Sequence, residues 1–187
     1  MEIKNQNIEE FLKDLASKKP APGGGSASAL AGAMGAALVG KVARLTKDNP
    51  EVSKIVKKAD DLKDNLLELS DKDCQAYDEV IKAYRLPKED KTRGRRIQEA
   101  LKHAAEVPME TVRKSVEVLY LASFVAAQGN QNAVSDARCA IELAIAAIYG
   151  ALENVRINLT LIKDKKFVES LRNEIDKILS EKKLKAG

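Results

Sequence analysis

The chain has 187 residues, enough to bury one hydrophobic core without disulfides or structural metals, and its 44% hydrophobic and 32% charged residues are typical of a globular protein. A net charge of +4 and an aromatic content of 4% disfavour a nucleic-acid-binding protein. Such proteins usually gather basic charge on one face and, for single strands, add aromatic side chains that stack on bases.

Three further features predict a soluble protein of the cytoplasm. The first residues, Met1 to Asn5, contain no apolar stretch of the kind that marks a signal peptide. The most apolar run, Ala27 to Gly40, is shorter than the roughly 20 residues that span a bilayer. Cys74 and Cys139 lack the spacing of a metal motif or of a disulfide framework. We therefore expect a cytoplasmic location, with neither a membrane nor a nucleic acid as partner.

Apolar residues recur every three or four positions along most of the chain, which predicts helices throughout. Asn7 is placed to cap the first helix, and Pro108 to kink the fourth. The stretch Val116 to Phe124 would also suit a strand, but it continues the helical spacing. The predicted helices are, in chain order, Asn7 to Ser17, Ser26 to Lys47, Glu51 to Arg85, one that starts at Pro87, one that reaches Leu161, and Phe167 to Lys183. The prediction is an all-α fold, a multi-helix bundle with long, partly kinked helices in a single domain spanning residues 1–187.

The second predicted helix has one face with almost no side chains, because Ser28, Gly32, Ala36 and Gly40 recur every fourth residue. Glycine inside a helix costs roughly 0.5–1 kcal/mol relative to alanine, so several of them need a reason. The pattern predicts that this helix packs closely against another helix or a ligand.

The loop before this helix, Pro20-Ala21-Pro22-Gly23-Gly24-Gly25-Ser26, is the most specific feature of the sequence. We expect its three glycines to adopt positive φ angles and to let the backbone approach a ligand closely. Placed before a helix, they would direct unpaired N–H groups toward an anion. An ordinary turn between helices needs one glycine rather than three. We therefore favour a binding loop made of Pro22, Gly23, Gly24, Gly25 and Ser26.

Asp73 occupies a position in the third predicted helix where the surrounding stripe predicts an apolar side chain. Leu66, Leu69, Ala76 and Val80 continue that stripe on either side. A buried carboxylate costs several kcal/mol unless it is paired or hydrogen-bonded, and such acids are common at functional sites. The alternative is that the stripe drifts here and leaves Asp73 exposed.

A third polar cluster lies where one helix ends and the next begins, in the stretch Gly129 to Asp136. Asn132 or Ser135 would serve to cap the next helix. Asn130, Asn132, Ser135 and Asp136 together exceed what a cap requires, so a binding site and a cap are both open.

Later in that helix, Asn154 and Asn158 lie one turn apart on a face otherwise made of alanines. This pair indicates either a buried hydrogen bond between helices, which we favour, or the wall of a ligand site.

Residues 85–102 carry seven basic and three acidic side chains. A solvated helix face is the favoured interpretation, and docking of a polyanionic ligand tail is the alternative. His103 is the sole histidine, which excludes a metal site built from several histidines. We expect no metal and no cofactor, and hence metal-free acid–base chemistry or plain binding.

Four stretches, in this order, resemble the cyclodeaminase/cyclohydrolase family of folate enzymes. They are Pro22 to Ser26 before an Ala/Gly helix, Asp71 to Lys88, Gly129 to Ala137, and Asn154 to Leu159. The family includes the cyclodeaminase domain of formiminotransferase-cyclodeaminase and stand-alone methenyltetrahydrofolate cyclohydrolases. The sequence departs from the family pattern at Arg138, where glycine is usual, and at Cys74, where a small residue is usual. Both departures are expected to affect the pocket.

The resemblance implies a helical homodimer that binds a tetrahydrofolate derivative, as substrate, in a groove involving the glycine loop. It implies that Asp73 is the catalytic residue. The loop, Asn132 and Ser135 would hold the pterin or glutamate portions of the folate, with Asn130 and Asp136 beside them. Arg156 or the basic stretch would pair with carboxylates.

Two reactions follow from the resemblance. In a cyclohydrolase, water opens the methenyl bridge of methenyltetrahydrofolate to give formyltetrahydrofolate. In a cyclodeaminase, a folate nitrogen attacks a formimino carbon and ammonia leaves. We favour the hydrolase, because 187 residues hold no formiminotransferase domain to deliver formiminofolate. The rival interpretations are an inactive helical dimerisation or scaffold protein and, third, a nucleic-acid role for residues 85–102.

Overall fold

The computed structural model describes residues 2–47 and 49–180, and all regular secondary structure in these ranges is helical. The α-helices are α1 (Ile8–Leu15), α2 (Gly24–Leu45), α3 (Pro50–Tyr84), α4 (Arg93–Gln128), α5 (Val134–Leu159) and α6 (Lys165–Ser180). Two short 3₁₀ helices, Ile3–Asn5 and Gln131–Ala133, precede α1 and α5. The prediction of an all-α fold is therefore confirmed. The predicted end of the last helix, residues 181–183, lies outside the described residues.

Helices α2 to α5 form a bundle in which α2 and α4 each pack against both α3 and α5, and α2 and α4 also touch across the diagonal. The core between them is aliphatic, with Leu66, Leu101, Met109, Ile148 and Leu152 among its fully buried side chains. Helix α6 adds Leu171, Ile175 and Ile178 to this core. Burial of these apolar stripes is what holds the long helices together.

The small-residue faces of α2 and α5 pack against each other. A Cβ atom added to Gly150 would lie 2.4 Å from Ser28 Oγ, and one added to Gly35 would lie 3.2 Å from the Ala140 carbonyl oxygen. The predicted close contact of α2 with other helices is confirmed. Its small residues meet α5 at Gly150, α4 at Ser115, and α3 at Leu66 and Ala59.

Helix α2 is, by length and composition alone, long and apolar enough to cross a membrane. The prediction that the apolar run is too short to span a bilayer is therefore wrong by length, because Ala27 to Gly40 is only part of a helix of 22 residues. Within the fold, 61% of its most apolar window is buried against protein. Its apolar character is thus used for packing inside the bundle.

Helix boundaries follow local capping chemistry. Asn7 caps α1 as predicted, since its side chain accepts a hydrogen bond of 2.9 Å from the backbone N–H of Glu10. The prediction that the fourth helix starts at Pro87 is wrong. Asp90 instead accepts a 2.7 Å bond from the Thr92 N–H, a local turn that delays α4 until Arg93. Pro108 does lie inside α4; the kink expected there stays a prediction.

Candidate active site

The first turn of α2 meets the middle of α3 at Asp73. Ser26, which is fully buried, donates a 2.8 Å hydrogen bond from Oγ to Asp73 Oδ2. A Cβ atom added to Gly25 would lie only 2.1 Å from Asp73 Oδ1. Only glycine at position 25 leaves room for the carboxylate to reach the start of the helix.

This arrangement corrects the expected role of the glycines. No glycine among the described residues has a positive φ angle, and Gly23 itself is extended at φ −139°. Gly24 and Gly25 belong to α2, which starts two residues before the predicted Ser26. The glycines are therefore needed for the space above the helix start, where a side chain would collide with Asp73 or crowd Asn154. Close approach of this backbone to a ligand stays a prediction.

Asp73 is half-buried, and burial raises its pKa above the ordinary value of 3.8. Hydrogen bonds from the Ser26 hydroxyl and backbone N–H oppose this shift by favouring the charged form. A carboxyl group whose pKa is raised toward neutrality can both accept and return a proton. The structure thus supports the buried interpretation of Asp73 over the exposed one.

The other carboxylates nearby have different surroundings. Asp71 is the more deeply buried, at 7% exposure, and it accepts a hydrogen bond from the backbone N–H of Ile3. This contact ties the N-terminal segment to α3. Asp78 is exposed on the following turns. Of these three, only Asp73 lines the cavity described next.

A cavity of about 330 Å³ opens beside Asp73 at the end of the bundle where α2 and α4 begin. Its walls come from the glycine loop and from α3, α4 and α5. The lining residues are Pro20, Ala21, Gly23, Gly24, Gly25, Asp73, Ala76, Tyr77, Val80, Leu101, Ala104, Asn154, Ile157, Asn158 and Leu161. The mixture of apolar walls with a few polar groups is typical of a small-molecule site.

Sequence reasoning named the loop and Asp73, and for Asn154 and Asn158 it favoured a hydrogen bond between helices over a ligand wall. Only Asn158 makes such a bond, since Asn154 donates to the Gly150 carbonyl of its own helix. Asn158 Nδ2 donates a 2.6 Å hydrogen bond across to the Ala104 carbonyl of α4, and both asparagines line the cavity. The aromatic wall at Tyr77 and the apolar walls at Ile157 and Leu161 were missed, because an apolar side chain on a helix gives no sign of which cavity it faces.

Cys74 lies behind the same serine, with its Sγ 3.4 Å from Ser26 Oγ. Burial, together with the negative charges of nearby aspartates, raises the pKa of this thiol above 9.0. It is therefore a protonated thiol at neutral pH and not a nucleophilic thiolate. Cys74 and Pro22 line a second, more open cavity of about 610 Å³ between the loop, α1 and α3.

The polar cluster Gly129 to Asp136 lies at the opposite end of the bundle. Ser135 precedes Asn154 by 19 residues of α5, a distance of roughly 30 Å along the helix at 1.5 Å per residue. Asn132 and Ser135 are exposed, while Asp136 forms a 2.7 Å ion pair with Lys41 of α2. Within one chain, these residues are not brought together with Asp73.

The capping prediction for this cluster is also wrong. Asn130, and neither Asn132 nor Ser135, is the capping side chain, and it accepts a 2.9 Å bond from the Asn132 N–H at the start of the 3₁₀ helix. Asn130 also donates 2.9 Å bonds to Thr46 Oγ1 and to the Leu45 carbonyl. These bonds fix the end of α2 against the segment that precedes α5. The 3₁₀ helix runs directly into α5, which has no capping side chain of its own.

The basic residues lie away from the Asp73 cavity. Arg156 is exposed, pairs with Glu153 and faces α6, where it lines a separate cleft with Arg172. Arg93 uses its guanidinium to hold the carbonyls of Tyr84 and Leu86, each at 3.1 Å. Arg138, a departure from the family pattern, is exposed on α5.

Within the described ranges, no three His, Cys, Asp or Glu side chains cluster in a way that could hold a metal ion. His103 instead pairs with Glu79 at 2.7 Å on the outer face of α3 and α4. That the reaction needs no metal or cofactor stays a prediction.

Comparison with known proteins places this geometry in a family. The sequence profile of the formiminotransferase-cyclodeaminase family matches residues 7–177. A methenyltetrahydrofolate cyclohydrolase of Methylorubrum extorquens is 40% identical over 95% of this chain and 90% of its own length. The formimidoyltransferase-cyclodeaminase of Sus scrofa is 30% identical over 96% of this chain, which spans only 35% of that longer protein.

A solved structure agrees with these sequence matches. The formiminotetrahydrofolate cyclodeaminase of Thermotoga maritima superposes with a TM-score of 0.88 at 31% identity, covering 98% of this chain and 92% of that one. Both the sequence and the fold therefore match over nearly the whole chain, and the chain belongs to the formiminotransferase-cyclodeaminase family.

Proposed function

We propose that this protein is a folate one-carbon enzyme that hydrolyses methenyltetrahydrofolate to formyltetrahydrofolate. The observation that carries the proposal is Asp73, a carboxyl group of raised pKa held by Ser26 at the wall of a cavity of about 330 Å³. The hydrolase is favoured over the deaminase because the relative named for it is 40% identical and matches over 90% of its own length.

In the hydrolytic reaction, Asp73 would act first as a base and then as an acid. Water attacks the cationic methenyl carbon while the carboxylate takes one of its protons, which forms a tetrahedral carbon bearing a hydroxyl group. The carbon–nitrogen bond to one folate nitrogen then breaks as the hydroxyl oxygen becomes the formyl oxygen. The leaving nitrogen is protonated by the carboxylic acid, and the hydroxyl proton passes to solvent. One carboxyl group of raised pKa suffices for both transfers.

Asp73 would also contribute to catalysis by stabilising the positive charge of the substrate. The methenyl bridge is an amidinium-like cation, which a carboxylate stabilises when water is largely excluded. The first N–H groups of α2, at Gly24 and Gly25, border the same cavity and suit a developing negative charge or a carbonyl oxygen. The apolar walls formed by Val80, Leu101 and Leu161 would exclude bulk water from the ring.

Formiminotetrahydrofolate cyclodeaminase activity is the second candidate, favoured by the match in fold to a protein of that name. The same carboxyl group would serve, since a folate nitrogen loses a proton as it attacks the formimino carbon and ammonia must gain one as it leaves. One assay separates the two. Loss of methenyltetrahydrofolate absorbance supports the hydrolase, and release of ammonia from formiminotetrahydrofolate supports the deaminase. Absence of both activities would leave the inactive scaffold interpretation.

We further propose a homodimer formed through the outer face of α2. The small-residue faces of α2 and α5 meet other helices of the same chain and so do not form this interface. The outer face of α2 is the better candidate, since Met34 lies at the midpoint of α2 and is 53% exposed, with Tyr149 of α5 43% exposed. A two-fold axis near Met34 would place the α2 end of one subunit beside the α2 start of its partner.

This arrangement would also explain the Gly129 to Asp136 cluster. It lies at the end of α2 in its own chain, so an antiparallel partner would bring it near the glycine loop of the other subunit. Light scattering tests the proposal: we expect about twice the 20.4 kDa chain mass for the unaltered protein, and the chain mass for Met34→Glu. A monomer at all concentrations would contradict it. Cytoplasmic location and a small-molecule folate as the sole partner besides the second copy stay predictions.

A further inference from the structure

Pro108 leaves one carbonyl group in α4 without its helical partner. In an α-helix, the N–H of each residue donates to the carbonyl four positions earlier, and proline has no N–H. The affected group is the carbonyl of Ala104, which lies on the wall of the Asp73 cavity. A carbonyl in this position needs another donor.

Asn158 of α5 supplies that donor. Its Nδ2 lies 2.6 Å from the Ala104 carbonyl oxygen. Because a carbonyl only accepts and the amide group is planar, this bond dictates which end of the Asn158 amide points at α4. The amide oxygen Oδ1 of Asn158 then points away from the Ala104 carbonyl. No partner for this oxygen is found among residues 2–47 and 49–180, and Asn158 lines the cavity.

Asn154, one turn earlier, is oriented in the same way. Its Nδ2 donates a 2.9 Å bond to the Gly150 carbonyl, and its amide oxygen likewise has no partner in the described part of the chain. Asp73 adds a carboxylate on the facing wall. No lysine, arginine or histidine of the described residues lines this cavity. Beside the Tyr77 hydroxyl and the second N–H of each amide, the cavity therefore offers three side-chain acceptors, the Asp73 carboxylate and the two amide oxygens.

A ligand that fits such a wall must present hydrogen-bond donors. The pyrimidine edge of a pterin does so, because its 2-amino group and N3–H are adjacent donors. Asn158 lies one helical turn, about 5.4 Å, beyond Asn154 and so farther from the Gly25–Asp73 contact. It is therefore placed for the part of the pterin away from the reacting bridge.

We infer that Asn158 is a specificity-determining residue that accepts a hydrogen bond from the 2-amino/N3–H edge of the folate pterin, and that Pro108 positions it by freeing the Ala104 carbonyl. The inference rests on the proposed folate reaction. It assigns Asn158 to binding and not to proton transfer, so its loss raises KM and leaves kcat within about twofold.

The first test compares Asn158→Ala with the unaltered enzyme on two substrates, methenyltetrahydrofolate and its analogue with the 2-amino group replaced by methyl. Loss of one hydrogen bond to the substrate should raise KM for the natural substrate roughly tenfold. The preference of the unaltered enzyme for the amino compound should shrink by a similar factor. Asn65→Ala is the matched control, because Asn65 also donates from its amide to a helix carbonyl but is exposed and outside the cavity.

The second test uses Pro108→Ala, which keeps Asn158 and changes only the availability of the Ala104 carbonyl that it binds. The new N–H at position 108 competes for the Ala104 carbonyl, so the Asn158 amide is no longer held. We expect KM to rise about threefold in the unaltered background and not at all in Asn158→Ala. Circular dichroism should show the same helix content in both.

Each outcome decides something distinct. Unchanged KM and unchanged substrate preference in Asn158→Ala, with the unaltered enzyme active, overturn the inference. An unaltered enzyme without activity on either folate overturns the proposed function instead. Should Asn158→Ala fail to fold, Pro108→Ala decides alone, and unchanged KM there overturns the positioning.

Discussion

The glycine loop and the Gly129 to Asp136 cluster look alike in sequence, since each places small or polar residues before an apolar helix, yet the fold uses them differently. The start of α2 meets Asp73 beside a cavity of about 330 Å³. The start of α5 is tied by Asn130 to the end of α2 and exposes Ser135 to solvent. A polar cluster before a helix thus becomes a candidate site only where a second element brings a chemically active group to it.

The largest loss of activity is expected from a substitution of Asp73, the group that distinguishes the glycine-loop end from the Gly129 to Asp136 cluster. Asp73→Asn keeps the shape of the side chain and removes the proton-transfer group, so turnover should fall by roughly 10²–10⁴-fold. The measurement is kcat on methenyltetrahydrofolate, with Asp78→Asn as a control on an exposed carboxylate of the same helix. Full activity of Asp73→Asn would remove the chemical basis of the proposed function.

The next effect concerns the space above the start of α2. Gly25→Ala places a methyl group 2.1 Å from the present position of Asp73 Oδ1, so the carboxylate must shift by about 1 Å and activity should fall on the order of 10²-fold. Gly23→Ala is the matched control, because its added Cβ would meet nothing closer than the Pro20 carbonyl oxygen at 3.9 Å. Equal activities of the two variants would show that the Gly25 contact is unimportant.

At the opposite end of the bundle, the effect of Ser135 depends on the second subunit. Ser135→Ala should raise KM about fivefold in the homodimer, the worth of one hydrogen bond to substrate. In the Met34→Glu background, where the subunits are separated, the same change should have no further effect. A KM that does not respond to Ser135→Ala in a confirmed dimer would confine the site to the glycine-loop end of one chain.

The pH dependence of stability gives a smaller but independent measure of Asp73. Because burial raises its pKa in the folded state, Asp73 favours folding below pH 3.8, where it is protonated in both states, and loses that contribution as pH rises through the folded value. Asp73→Asn should therefore match the unaltered protein in thermal midpoint near pH 3 and exceed it at neutral pH. A constant difference across pH would mean that Asp73 does not titrate in the folded protein with a raised pKa.

The smallest expected effect separates the structural role of Asn130 from a binding role. Asn130→Ala removes its side-chain bonds to the Leu45 carbonyl and the Asn132 N–H, and should lower the free energy of unfolding by about 1 kcal/mol. Gln131→Ala is a suitable control, because its side chain reaches only the carbonyl of Gly129, two residues earlier. Unfolding in urea measures both, and equal stability would remove the structural explanation of Asn130.

Local patterns in the sequence predicted the helices and one catalytic candidate. Helical spacing is a local property of the chain, so the apolar stripes of α3 and α5 indicate which face of each helix is buried. Asp73 stood out because it is an acidic residue within such a stripe. The sequence also indicates that the Ala104 carbonyl lacks its helical hydrogen bond, because Pro108 has no N–H to donate to it. The sequence does not show that Asn158 of α5 donates the replacement hydrogen bond to this carbonyl.

Only the tertiary structure decided which clusters meet. It placed Gly25 against Asp73, which explains the glycines by space and not by φ angles, and it placed Ser135 roughly 30 Å from Asn154 along α5. It also delayed α4 to Arg93 through the Asp90 turn. Periodicity determines which face of a helix is buried. Contacts between residues distant in sequence depend on how several buried faces pack at once, and no local pattern of residues encodes that packing.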